Sequence, residues 1–167
     1  PPEAVTSLKT FDRVLMPEQF GRNVCLRSGM HPDHVGMVPH AFDPRYWTDE
    51  FSDPPPADPY VFYSMLVWSE RKNPIGLLKA YLTEFRADEN VVLKILCPQV
   101  NQEDYEALTT ALALPSLPKV EFIKRRLSDQ ELRSLHRDSH CFVLLTRGEG
   151  WCLPAFEAAL IGNPIVI

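Results

Sequence analysis

The sequence predicts an α/β fold: a parallel sheet with helices on both faces over residues 60–167, preceded by a proline-rich arm over residues 1–59. Three observations lead there. Segments of strand and helix character alternate from Tyr60 to the end of the chain. The strand segments, such as VVLKIL and CFVLL, are apolar on both faces, as strands covered from two sides must be. The 167 residues are 45% hydrophobic, enough to bury a core and about right for one domain.

The elements follow in order. Residues 11–16 (FDRVLM) alternate apolar and polar, as a short strand does. Pro17 opens a helix to Arg27, which Ser28-Gly29 ends. Residues 35–38 make a second short strand. Between Phe42 and Pro59 lie Pro44, Pro54, Pro55, Pro56 and Pro59, an irregular linker or surface loop. Beyond it the pattern is regular. Residues 60–68 form a strand, and 74–85 a helix with Ile75, Leu77, Leu78, Tyr81, Leu82 and Phe85 at helical spacing. Strands then fall at 91–96, 120–123, 141–145 and 164–167, and helices at 102–114, 128–136 and 154–161. The helix at 128 begins with the S-x-x-E spacing of a capping box, Ser128 to Glu131.

Composition excludes several classes. A net charge of -5, from 17 basic and 22 acidic side chains, is the wrong sign for a surface that coats nucleic acid. No run reaches the 18 or so apolar residues of a membrane-spanning helix. The cysteines Cys25, Cys97, Cys141 and Cys152 contain no C-x-x-C pair and are too few for a disulfide scaffold. A reduced, cytoplasmic protein is expected. The chain starts at Pro1-Pro2 and stops within an apolar run, so it reads as a piece of something longer.

In an open parallel sheet, ligands bind beyond the carboxyl ends of the strands. The loop 146–153 (TRGEGWCL) follows one such end and runs into a helix at Pro154. Its glycines permit a tight turn, and a helix start offers unpaired amides and partial positive charge, which together suit a phosphate. Glu149 lies in this loop, and Glu157 lies in the first turns of the following helix among apolar neighbours. After the strand at 60–68 the chain reads SERKNP; there Arg71 as a fork and Lys72 as a point charge suit a diphosphate. Arg125-Arg126 end another strand, where a solvated turn is the simpler reading.

Rival motifs fail. The dinucleotide pattern G-x-G-x-x-G would need glycine where Leu153 stands, and neither a G-K-[ST] phosphate loop nor a G-x-S-x-G elbow is present. His31/His34 and His136/His140 are spaced pairs without a third ligand nearby, so no metal is expected. Cys152 has no histidine close in sequence and reads as a packing residue.

Residues 148–167, GEGWCLPAFEAALIGNPIVI, resemble the E-x7-E signature of retaining glycosyltransferases of the GT-B fold (family 4-like). SERKNPIGLLKAY at 69–81 is similar to that family's lysine segment, and VGMVPHAFDPRYW at 35–47 to its VIPHGVD segment. The resemblance implies that residues 60–167 are a truncated Rossmann-like donor-binding domain, the C-terminal half of a GT-B enzyme. It implies transfer of a sugar from a UDP- or GDP-sugar to an unknown acceptor, with retention of configuration. Glu149 would lie beside the transferred sugar and Glu157 would hold the ribose hydroxyls. Lys72, Arg71 and the backbone of Gly150, Trp151, Cys152 and Leu153 would hold the diphosphate, with no metal or other cofactor. The missing N-terminal acceptor domain would leave this piece inactive alone. The full-length enzyme would be cytoplasmic or peripheral to a membrane. Three departures from the pattern stand out: Val67 where the family has arginine, Cys152 where it has the second loop glycine, and Glu18 where it often has serine. Two alternatives remain at this point: a catalytically silent nucleotide-binding domain, and a nucleotide-sugar epimerase or hydrolase of the same fold.

Overall fold

Strands apolar on both faces can be satisfied only inside a sheet covered from two sides, and the computed structural model shows such a sheet. It describes residues 2–42 and 56–167. The chain divides into two units, residues 1–43 and 44–167.

In the first unit, helix α1 (Pro2–Leu8) precedes strand β1 (Val14–Met16), helix α2 (Gln19–Arg27), a 3-10 turn at Pro32–His34 and strand β2 (Val35–Met37). β1 and β2 pair in parallel, with Val14 opposite Val35. Val14, Cys25, Met30 and Val35 form a small core of their own. The sequence reading does not place α1, although Pro2 and Glu3 in its first turn are ordinary helix-start residues. Helix α2 starts later than Pro17 because Glu18 caps it, accepting from the Gly21 amide at 2.6 Å. Residues 43–47 of the VIPHGVD-like segment, and Pro44, Pro54 and Pro55 of the proline cluster, lie outside the described residues.

In the second unit, β3 (Tyr60–Met65), α3 (Pro74–Glu84), β4 (Val91–Leu96), α4 (Gln102–Leu112), β5 (Lys119–Ile123), α5 (Asp129–Arg137), β6 (Cys141–Val143), α6 (Leu153–Ile161) and β7 (Ile165–Val166) alternate as expected. Among the described residues the strands form a five-stranded sheet in the order β5-β4-β3-β6-β7, with every pairing parallel. Tyr63, Leu93, Ile95 and Phe142 in the central strands are fully buried, as are Leu78 and Leu82 of α3 where it packs on them. Strand β3 stops three residues before the expected Trp68. Leu66 donates a last backbone bond to Leu96 at 3.1 Å, but β4 then runs into Pro98, which has no N–H to continue the ladder. Helix α4 stops at Leu112 rather than 114, because Ala113 takes a left-handed conformation at φ 47°.

The strand order has one consequence for function. The chain builds β3, β4 and β5 outward in one direction, then returns to lay β6 and β7 on the other side of β3. β3 and β6 therefore flank the point where the order reverses, and the space beyond their carboxyl ends is the standard ligand position of such sheets.

Candidate functional site

The two loops at that reversal are 66–73 after β3 and 144–152 after β6, and they are tied together. The Arg147 amide donates to the Arg71 carbonyl at 2.8 Å, and the Arg147 guanidinium pairs with Glu70 at 2.6 Å. The Arg71 Nη1 donates to the Gly148 carbonyl at 2.7 Å and to Glu149 Oε1 at 3.0 Å. Lys72 Nζ lies 2.6 Å from the same carboxylate oxygen, and the Thr146 hydroxyl donates to it at 2.8 Å. Arg71, Lys72 and Glu149, singled out from separate segments of the sequence, thus meet at one atom.

Local structure sets these positions. Asn73, at φ 51°, turns the chain sharply after Lys72, and its side chain caps α3 by accepting from the Gly76 amide at 3.2 Å. The Lys72 side chain is only 12% exposed and that of Glu149 19%, although Glu149 as a whole residue is exposed. An ammonium buried this far needs a partner, and Glu149 supplies it. Burial alone would raise the Glu149 pKa. Hydrogen bonds from Lys72 and Thr146, with the charges of Lys72 and Arg71, outweigh burial and hold the carboxyl below its ordinary value. Glu149 is therefore ionised at neutral pH. Two cations meeting one carboxylate leave the cluster with a net positive charge.

The other loop residues surround the start of α6. Cys152 is its N-cap at φ 63°, a left-handed conformation that favours glycine, and its side chain makes no capping hydrogen bond. A Cβ added at Gly148 or Gly150 would meet nothing within 4 Å, so these glycines border open space rather than packing. Trp151 stacks edge-on against Phe156, 5.5 Å between ring centres, and Leu153 is exposed. Val67 is exposed, while the cation beside Lys72 comes from Arg71.

Glu157 sits in the second turn of α6 with its side chain 22% exposed. It faces α5: its Oε2 lies 3.6 Å from Nε2 of His136, a fully buried residue in the last turn of that helix. The His136 Nδ1 is 2.8 Å from the Tyr63 hydroxyl, and Asn163 Nδ2 lies 2.9 Å from that hydroxyl and 2.6 Å from the His136 carbonyl. Sequence reasoning missed the partners Thr146, Tyr63 and Asn163, and weighed His136 only as half of a metal pair. His140, the other half, instead accepts from the Val61 amide at 2.8 Å and stacks on Tyr60. Arg125 is likewise committed elsewhere, to Glu131 of the α5 capping box at 2.7 Å.

Among solved structures with similar folds is that of Anabaena Alr3699/HepE in complex with UDP and glucose (TM-score 0.71, 16% identity, covering 99% of this chain and 49% of that one). The E. coli structure described as trehalose-6-phosphate bound with UDP-2-fluoro glucose has a TM-score of 0.70 at 10% identity, covering 97% of this chain and 46% of that one. The apo lipopolysaccharide outer core galactosyltransferase WaaB has a TM-score of 0.67 at 16% identity, covering 92% of this chain and 42% of that one. This chain spans about half the length of the Anabaena structure. No curated protein matches it. The sheet and its helices match the Rossmann-like half of GT-B glycosyltransferases. Residues 46–167 match the family described as glycosyl transferases group 1. With a parallel sheet of that architecture and a charged cluster at its point of reversal, this chain belongs to the glycosyl transferases group 1 family.

Proposed function

We propose that this chain is the donor-binding half of a glycosyltransferase that moves a sugar from a UDP- or GDP-sugar to an acceptor with retention of configuration. The observation that carries the reading is the convergence of Lys72, Arg71 and Glu149 where the strand order reverses, beside glycines that border open space at a helix start. Similar folds solved with UDP and with UDP-glucose support a nucleotide-sugar donor.

In this reading the diphosphate lies over the start of α6. Lys72, Arg71 and the amides of Gly150, Trp151, Cys152 and Leu153 hold it, and Glu157 accepts from the ribose hydroxyls. When the bond from the anomeric carbon to the diphosphate oxygen breaks, its electron pair leaves with the diphosphate. The cations and the amides at the helix start stabilise the growing charge, so the reaction needs no metal. Glu149 stands beside the transferred sugar, where its fixed negative charge faces the positive charge that develops at the anomeric carbon. An N-terminal acceptor domain completes the cleft, and this chain alone binds donor without turning over.

The test is calorimetric titration of wild type, Lys72→Ala and Glu157→Ala with UDP and with GDP. A charge-assisted contact is worth about 1.5–3 kcal/mol, so each substitution should weaken the preferred nucleotide about ten-fold or more. Affinities equal to wild type, or no binding of either nucleotide by wild type, would overturn the reading.

A further inference from the structure

The buried polar chain beneath α6 can be assigned hydrogens by matching each donor to an acceptor. The His136 carbonyl can only accept, so the Asn163 group 2.6 Å from it is the amide nitrogen. That NH2 has a second hydrogen, which it donates to the Tyr63 oxygen at 2.9 Å. The Tyr63 hydroxyl, with an acceptor site occupied, directs its own proton to His136 Nδ1 at 2.8 Å. Burial raises the Tyr63 pKa strongly, so the hydroxyl keeps that proton. With Nδ1 accepting, the ring hydrogen lies on Nε2, the atom that faces Glu157.

We propose that His136 is the positioning residue for Glu157: the Asn163–Tyr63–His136 chain presents an N–H that holds the Glu157 carboxylate toward the ribose hydroxyls of the donor. This rests on the reading of Glu157 as the ribose acceptor. At 3.6 Å the contact is longer than a direct hydrogen bond. It orients the carboxylate electrostatically while leaving the oxygen lone pairs available to a pair of hydroxyls. The placement suits the task. Tyr63 is fixed in β3, Asn163 in the turn that leaves α6, and His136 at the end of α5, so three separate elements set the direction of one N–H. Such support is what a binding carboxylate on a helix needs to keep its geometry.

The experiment measures ribose discrimination, the ratio of affinities for UDP and 2′,3′-dideoxy-UDP by calorimetry, with the guanosine pair run alongside. Wild type should favour the ribonucleotide about ten-fold or more. Glu157→Ala should bring the ratio near one. His136→Leu should do the same, and His136→Gln, which restores an N–H near Nε2, should recover part of it. Tyr63→Phe keeps the ring, removes the proton that fixes the tautomer, and should lower the ratio at least about three-fold; it decides the matter if His136→Leu does not fold. A purely structural role would weaken both nucleotides alike and leave the ratio intact. A collapsed ratio in Glu157→Ala with unchanged ratios in His136→Leu and Tyr63→Phe overturns the positioning role. A ratio near one in wild type, or unchanged by Glu157→Ala, overturns the ribose assignment and this inference with it.

Discussion

Replacing Glu149 by glutamine should tighten the binding of a free nucleoside diphosphate. The carboxylate lies 2.6 Å from Lys72 Nζ, so a phosphate that uses this ammonium shares it with a negative charge. A phosphate oxygen at an ordinary charge-assisted distance on the far side of Nζ would place the two anions about 5–6 Å apart. Coulomb's law at that separation gives about 0.7 kcal/mol of repulsion in water and about 3 kcal/mol at an effective dielectric of 20. With the two side chains 12% and 19% exposed, the environment falls between these limits. After screening, about 1 kcal/mol is a fair expectation, or roughly a five-fold gain in affinity. Glutamine keeps the shape of Glu149 and can still accept from Arg71 and Thr146, so both loops should hold. The assay is calorimetric titration with UDP and GDP at two salt concentrations, the gain shrinking as salt rises. Weaker binding by Glu149→Gln would refute the argument. It would mean that the carboxylate serves mainly to hold the cations in place.

Three further outcomes are expected. Asn73→Ala removes the α3 cap and places alanine at φ 51°, which together should cost about 2 kcal/mol, whereas Asn73→Gly should cost a few tenths; urea midpoints measure both. Glu131, hydrogen-bonded first to Arg125 and then to Ser128, has its pKa lowered from 4.5 to about 2. A lowered pKa contributes stability above the unfolded value that is lost as pH falls from 4.5 toward about 2, so thermal melts of Glu131→Gln should show a flatter acid limb than wild type; parallel curves would contradict this. At Cys152, φ 63°, valine should destabilise by more than about 2 kcal/mol, while glycine, relieved of strain but losing a buried thiol, should stay within about 1 kcal/mol of wild type.

The order of strands and helices was legible because it is local. Apolar runs, the Ser128 capping box and prolines at helix starts act within a few residues, and every element expected after Tyr60 is present. Element ends were less legible where a partner decides them. Strand β3 stops at Met65 because of Pro98 just past the end of β4, thirty-odd residues downstream in the chain. Helix α4 ends on a left-handed alanine, a residue type with no intrinsic preference for that conformation.

The site divides along the same line. Glu149 and Glu157 were legible because their spacing lies within one loop and one helix. Their partners were not, because the meeting of Arg71 and Lys72 with Glu149, 78 and 77 positions apart along the chain, exists only through strand order. The sequence suggests that β6 is parallel to β3 but not that it is its neighbour. His136 shows the opposite hazard, a local pattern that misleads. Its i, i+4 spacing to His140 would bring the two rings together only if the helix continued, yet α5 ends at Arg137. His140 then turns to the edge of β3, while His136 turns inward to Tyr63 and Glu157. One helix end, falling between the two histidines, separates a metal pair on paper from a buried polar contact in the fold.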